Sequence, residues 1–541
     1  MGKRSAVVEL LLGNMGSMQR ETRPSMQRED QPTMATKLEQ IAVKARREPN
    51  LRFTSLAHHI TRERVLKNLQ RIPKHSAAGV DGQTVEGAKE TFKEWIGPML
   101  QSIHRQGYKA PNIRRVYIPK PGKTEKRPLG VPTVSDRALQ RSTAEVLSAI
   151  YEQDFLPCSF GGRPGLGAHR ALATLHEVIA GGMIGWVLEA DLKNFFGSLD
   201  HEWVLRFVAH RVGDPRVINL IRRWLKAGVL EDGAVHPSDE GTPQGGSISV
   251  LLSNLYLHHV LDLWFERVVK CRLRGEARLV RYIDDFVICF QYRSDALRVQ
   301  DVLRRRLSTF GLALEPTKTK LVEFGRFAQR HAGKRDRNRP ETIYFLGLTL
   351  YCTRNRKGNF KVGMRTEKSR LRRSLLSLQE LMRCVRHDRI GDQVSEINAA
   401  LRGHYAYYGV AGNIRALFST GCCVAQLGRK SHDVGHLQPD QKEDAAAATQ
   451  ADGWGPMNRR SAIGALLALA TLPLSLQTKA QATQPGKRFR IGTLPDFGPV
   501  TRGHFVSAMR DLGWIEGNHF IIVPSGEGGT RGDDEEFNCI R

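Results

Sequence analysis

Eight cysteines are scattered through 541 residues without a single Cys-x-x-Cys pair, and only Cys422 and Cys423 are adjacent. That pattern excludes a disulfide framework and zinc-ligand spacing, and it fits reduced thiols in a cytoplasm. Long apolar runs are missing as well. None reaches the ~18–20 residues that a membrane span needs, so no membrane partner is expected. Acidic residues are in deficit, 55 Asp and Glu against 82 Lys and Arg, for a net charge of +27. This imbalance points to a polyanionic partner whose binding weakens as salt rises, although a generic nucleic-acid-binding protein satisfies it equally. A hydrophobic share of 40% is enough for packed domains, and 541 residues exceed one core, so two to four domains are expected.

Against that background two carboxylate blocks stand out. In Arg281-Tyr-Ile-Asp-Asp-Phe-Val-Ile-Cys-Phe290, the pair Asp284 and Asp285 lies between apolar runs rich in β-branched and aromatic residues. The flanks read as two strands and the Asp-Asp as the turn of a β-hairpin. Ionised carboxylates beside buried strands are costly unless a cation neutralises them, and a hard divalent ion such as Mg²⁺ suits that role. A turn facing water is the alternative. Trp186-Val-Leu-Glu-Ala-Asp191 reads as a second strand delivering Asp191 at its end. A strand ending in Asp together with an Asp-Asp hairpin meets the requirement of a two-metal phosphoryl-transfer site, with ions roughly 3.5–4 Å apart.

The remaining elements follow in order. Helical patterning runs from Ala35 to Gln70, a tight turn falls at Ala78–Gly82, and one amphipathic helix is expected from Val85 to Gln106. Arg114 to Pro132 reads as a hairpin with a basic tip carrying Lys120, Lys123, Lys126 and Arg127. These cations suit either an incoming triphosphate or backbone phosphate elsewhere. The glycine-rich turn Ser159–Gly167 permits close approach of a nucleic-acid backbone, with Arg163 able to meet a phosphate, or it is a plain loop. Asp200 is placed to cap the helix that begins at His201, and His201 reads as structural. Gln244, in Glu240-Gly-Thr-Pro-Gln-Gly-Gly-Ser-Ile-Ser249, stands at the mouth of a buried helix and suits packing against a base pair. Arg326–Arg339 reads as an exposed basic loop. The tyrosines of His404-Tyr-Ala-Tyr-Tyr408 either face a core or stack on a nucleic acid strand.

Taken in this order, the blocks resemble bacterial group II intron-encoded reverse transcriptases/maturases over roughly residues 37–417. The resemblance rests on Arg-Pro-Leu-Gly at 127–130, Phe-Gly-x-Arg-Pro-Gly at 160–165, the Asp191 block, Gly-Thr-Pro-Gln-Gly-Gly at 241–246 and Tyr-x-Asp-Asp at 282–285. Lys-Thr-Lys at 318–320, Phe-Leu-Gly at 345–347 and Arg-Gly-His-Tyr-x-Tyr-Tyr-Gly at 402–409 complete it. It implies an α+β right-hand polymerase with fingers, a palm built on an antiparallel sheet, and a helical thumb or X domain. The expected divisions are a disordered leader (1–35), an N-terminal extension and fingers (36–180), palm (181–350) and partial thumb (351–418). A linker (419–456) and a poorly structured tail (457–541) would follow.

The resemblance also implies roles. Asp191, Asp284 and Asp285 would be catalytic and would hold two Mg²⁺ ions. Lys120 and Arg127 would reach the triphosphate, and Gln244 would line the nucleotide pocket. Phe196 would clash with a ribose 2′-OH and so select dNTPs, since that hydroxyl is what separates the two sugars. The implied partners are intron RNA, an RNA template with a DNA primer, and dNTPs, with a homodimer left open and a cytoplasmic location. The sequence departs from the family pattern at Gly197, where Asp is usual, at Val250, where Pro is usual, and at Gly162, where a second Phe is usual. A larger departure begins near Leu417, where a linker rich in Gln, Asp, Ala and Gly replaces further thumb and DNA-binding sequence.

In the tail, Met457-Asn-Arg-Arg-Ser-Ala-Ile-Gly-Ala-Leu-Leu-Ala-Leu-Ala-Thr-Leu-Pro-Leu-Ser-Leu476 has a twin-Arg start, a short apolar core and a small-residue site ending at Ala482. That is the shape of an export signal, with a buried thumb helix as the alternative. Lys487-Arg-Phe-Arg-Ile-Gly-Thr-Leu494 then reads as a first strand. The segment resembles the start of a bacterial ABC-transporter substrate-binding protein. About sixty residues are too few to close such a domain's core.

Overall fold

The computed structural model describes residues 34–119, 126–231, 234–236, 241, 246–334, 339–417 and 419–421, and three short strands beyond them. The chain divides into two units, Gln19–Gly363 and a second made of Met1–Met18 with Met364–Arg541.

The larger unit begins with the helices Met34–Arg47 and Arg62–Gln70, the second capped by Thr61. Where one helix is expected over Val85–Gln106, there are two, Val85–Glu90 and Phe92–His104. They part at Thr91, whose hydroxyl bonds back to the Gly87 carbonyl at 2.9 Å, a competitor to straight helix continuation. Strand β1 (Ile113–Pro119) and strand β2 (Lys126–Val131) form the expected basic hairpin, with Ile118 opposite Arg127. The long helix Val134–Tyr151 then runs through the core.

Strand β3 (Trp186–Asp191) is followed by the helix His201–Arg211, where Asp200 caps as expected by accepting the Trp203 N–H at 3.0 Å. Asp214 caps the next helix, Pro215–Leu225. Its Oδ2 also accepts the backbone N–H groups of Leu56 and Ala57 at 2.7 and 2.9 Å, which ties the N-terminal segment to this layer. Strands β4 (Val229–Glu231) and β5 (Ala234–His236) extend the basic hairpin into a sheet of order β2-β1-β4-β5.

The sheet that carries the carboxylates is separate. It consists of β3, β6 (Ala277–Tyr282), β7 (Asp285–Phe290) and β8 (Lys320–Glu323), in the order β6-β7-β3-β8 with antiparallel neighbours. From Phe286 to Phe290 every β7 side chain is buried, which is why the strand reads as a continuous apolar run rather than an alternating one. Helices Ser249–Leu257 and Arg293–Ser308 belong to the same unit. The stretch expected as an exposed basic loop instead contains the helix Ala328–Lys334, with Ala328 and Ala332 buried. Their spacing of four puts both on one helical face, and the surrounding Arg and Lys residues hide that signal in the sequence.

In the second unit, the helices Lys368–Cys384 and Ile390–Tyr408 share a small core of Leu378, Leu401 and Tyr405. Tyr405, Tyr408 and His404 are buried, so of the two readings of the tyrosines the core-facing one holds for Tyr405 and Tyr408. Further on, strand Phe489–Gly492 falls where a first strand is expected. It pairs in parallel with Phe520–Val523 on one side and Asn538–Cys539 on the other. The export-signal-like stretch lies outside the described residues.

Candidate active site

Strand pairing brings the predicted carboxylates together. Asp191, the last residue of β3, lies directly opposite Asp285, the first residue of β7. Asp285 also pairs with Tyr282 across the hairpin, which leaves Ile283 and Asp284 as a two-residue turn. Ile283 has φ +58°, a conformation that a β-branched residue adopts only when its surroundings impose it. Gly161 supplies part of that surrounding. A Cβ there would sit 2.6 Å from the Ile283 backbone nitrogen, so the glycine-rich turn closely approaches the Asp284 hairpin.

The charges of this cluster are not balanced within it. Burial, and then the neighbouring charges of Asp284 and Asp191, push the Asp285 carboxyl up to about 7, against an N–H donated by the Leu346 backbone. Leu346 and Gly347 have φ of +50° and +75° and form the two-residue turn between strands Ile343–Phe345 and Leu348–Arg354. The Phe-Leu-Gly block is therefore a second hairpin aimed at the carboxylates. Glu189, two residues before Asp191, anchors it by accepting the Tyr344 N–H at 2.5 Å. Burial raises this carboxyl to about 7 despite the bond.

Lys318 donates to Asp191 Oδ2 and forms an ion pair with it. Its loop is held by the Asp191 carbonyl, which accepts the Glu315 N–H at 2.8 Å, and by Lys193, whose N–H donates to the Ala313 carbonyl at 2.8 Å. Among the described residues, no three His, Cys, Asp or Glu side chains are gathered closely enough to hold a metal ion as they stand.

Phe196 lies in the short helical turn Phe195–Ser198, half-buried, its ring 5.4 Å from the buried Phe195 ring and nearly edge-on. Gly241 abuts it closely, since a Cβ on Gly241 would be 2.8 Å from the Phe196 carbonyl oxygen. Two bonds fix this glycine: its N–H donates to the Leu199 carbonyl at 2.8 Å, and His201 Nε2 donates to its carbonyl at 2.7 Å. His201 is thus structural, as the sequence suggests. The block containing Gln244 starts beside Phe196, but Gln244 and Lys120 themselves lie outside the described residues, and of Arg127 only the backbone is described.

Arg163 is already occupied and is not a phosphate contact. It pairs with Glu152 at 2.9 Å, donates to the carbonyls of Leu156 and Ser159 at 3.0 and 2.7 Å, and covers the Phe155 ring.

Residues 118–350 match the family described as reverse transcriptase (RNA-dependent DNA polymerase). This region is similar to reverse transcriptase domains. Among curated proteins, the chain is similar to the group II intron-encoded protein LtrA of Lactococcus lactis subsp. cremoris, 33% identical over 251 residues. That alignment covers 44% of this chain and 41% of the relative, so the chain spans less than half of that protein's length. It is also similar to Protein YkfC of Escherichia coli (strain K12), 29% identical over 382 residues, covering 64% of the chain and 96% of the relative. An uncharacterized 91 kDa protein in the cob intron of Schizosaccharomyces pombe is 30% identical over 238 residues, 43% of the chain and 29% of that protein. These likenesses support an intron-associated reverse transcriptase/maturase. All described elements that carry the carboxylates fall within the matched reverse transcriptase region.

Proposed function

We propose that the chain is an RNA-directed DNA polymerase of group II intron type, which copies intron RNA into DNA and assists that RNA in splicing and mobility. The observation that carries this reading is the register of Asp191 opposite Asp285, with Asp284 in the adjoining turn. Hard oxygen donors crowded until one resists ionisation are suited to divalent cations, and Asp191, Asp284 and Asp285 would hold two Mg²⁺. Bound there, the ions would supply Lewis-acid stabilisation of the attacking and leaving oxygens. Lys318 serves as counter-cation to Asp191 through Oδ2.

The remaining roles belong to the chain's own side chains. The Phe196 ring excludes a ribose 2′-OH, Gln244 lines the nucleotide pocket, and Lys120 and Arg127 neutralise the triphosphate. Intron RNA, a primed RNA template and dNTPs are the proposed partners, in keeping with the +27 charge. The second unit serves as a partial thumb. For the tail we propose a likeness to the first strands of a substrate-binding protein, which the parallel pairing of Phe489–Gly492 on both sides favours. Primer extension by the purified protein, on an RNA template with dNTPs and Mg²⁺, tests the function. Extension that requires RNA template and Mg²⁺ supports it, and RNA binding without extension would favour a non-catalytic maturase.

A further inference from the structure

Beneath the Asp284 turn lies a buried arginine whose every donor is used. Arg281 and Asp262 are both fully buried side chains. Arg281 Nε donates to Asp262 Oδ1 at 2.8 Å, and Nη2 donates to Asp262 Oδ2 at 2.6 Å and to Ser159 Oγ at 2.8 Å. Nη1 donates to Asn254 Oδ1 at 3.0 Å and to the Ile283 carbonyl at 2.9 Å. The five guanidinium hydrogens are thereby assigned, one of them to the residue that precedes Asp284.

The partners are themselves tied together. Asn254 donates onward to the Gly161 carbonyl at 2.7 Å. The Arg281 backbone accepts the Phe160 N–H at 2.9 Å and donates to Cys158 at 2.8 Å. Asp262 sits where the long helix widens into a π-helical turn, His258–Asp262, a local distortion that recurs at functional sites. The network has one strained member, Ile283 at φ +58°, and Arg281 holds its carbonyl.

We propose that Arg281 is a positioning residue for the catalytic hairpin, fixing the Ile283–Asp284 turn from below so that Asp284 is presented in a single geometry. This deepens the polymerase reading and rests on it for the role of Asp284. A planar fork can grip both Asp262 oxygens and still reach the Ile283 carbonyl. A lysine, with one nitrogen and three donors, cannot do both, so Arg281→Lys keeps the charge and loses the hold on the turn.

The test is Mn²⁺ binding to the full-length protein without nucleic acid, followed by electron paramagnetic resonance, with the relevant site defined as the one lost in Asp284→Asn. Arg281→Lys should weaken that site about tenfold, the scale on which residues supporting metal ligands act. Because Arg281→Lys can fail to fold, Asn254→Ala is the second variant. It leaves the buried ion pair intact, cuts the bridge from Arg281 to Gly161, and should weaken the site several-fold. Unchanged Mn²⁺ affinity in variants whose circular dichroism matches the parent overturns the positioning role, even if the parent extends primers normally. Weakened affinity alongside a parent that extends no primer sinks the polymerase reading and leaves the positioning role standing.

Discussion

Gly162 and Val250 occupy each other's space: a Cβ built on Gly162 would lie 2.2 Å from Val250 Cγ1. Two positions distant in sequence are therefore neighbours in the fold. A side chain larger than glycine at 162 requires the Val250 side chain or one of the two segments to shift.

Gly162→Ala is expected to destabilise the protein by about 1–3 kcal/mol, because Gly162 sits at φ +67° and its neighbour leaves no room. Trimming Val250→Ala should return part of that loss, so the double variant should be less destabilised than the two single effects added. Urea melts of the four proteins check this. Strict additivity would show that the contact is not energetic.

The second prediction concerns acid. His258 is buried, with its ring edge-on to Phe155 at 5.5 Å. Burial, then the charge of Arg281, lowers its pKa to about 3. An unfolded histidine titrates near ~6.5, so between those values the unfolded chain holds a proton that the folded chain refuses. Stability is therefore lost as pH falls from about 6.5 toward 3, by up to about 1.4 kcal/mol per pH unit for this group. Between pH 7.5 and 5.5, the parent should lose about 1 kcal/mol more than His258→Gln. Equal losses in the two proteins would remove His258 from the account.

Sugar discrimination is the third. Phe196→Ala should admit ribonucleotides about tenfold more readily, since one side chain sets the clash with the 2′-OH. Single-nucleotide incorporation with dNTP and rNTP pairs reads this directly. An unchanged preference would place the gate on another residue.

The fourth prediction addresses the tail. Thr420 is buried and its hydroxyl bonds to the Ala416 carbonyl at 3.0 Å, so a truncation should keep residues up to Gly421. Primer extension by that shortened protein should stay within about twofold of the parent, as expected when the removed segment makes no contribution to the site. A collapse of extension would mean that the tail is an integrated domain.

The convergence of the three aspartates could be read from the sequence because its signals are local. An apolar strand that ends in Asp191, and an Asp-Asp between two β-branched runs, declare themselves within a few residues. The supporting bonds do not. Lys318 meets Asp191 across 127 positions and Tyr344 meets Glu189 across 155, and neither pair leaves a mark on periodicity. Arg163 misleads for the same reason. Beside glycines it reads as a phosphate contact, and only the fold shows that Glu152 and two carbonyls already claim it. The helix Ala328–Lys334 was hidden because its two buried residues are small and its charged neighbours dominate the composition.

The central claim is that Asp191, Asp284 and Asp285 form a metal-dependent polymerase centre. Asp284→Asn tests it most directly, because Asn keeps the side chain's size and removes its charge. Primer extension on an RNA template should fall by about 10²-fold or more while RNA affinity stays unchanged. Extension at near the parent rate would contradict the assignment.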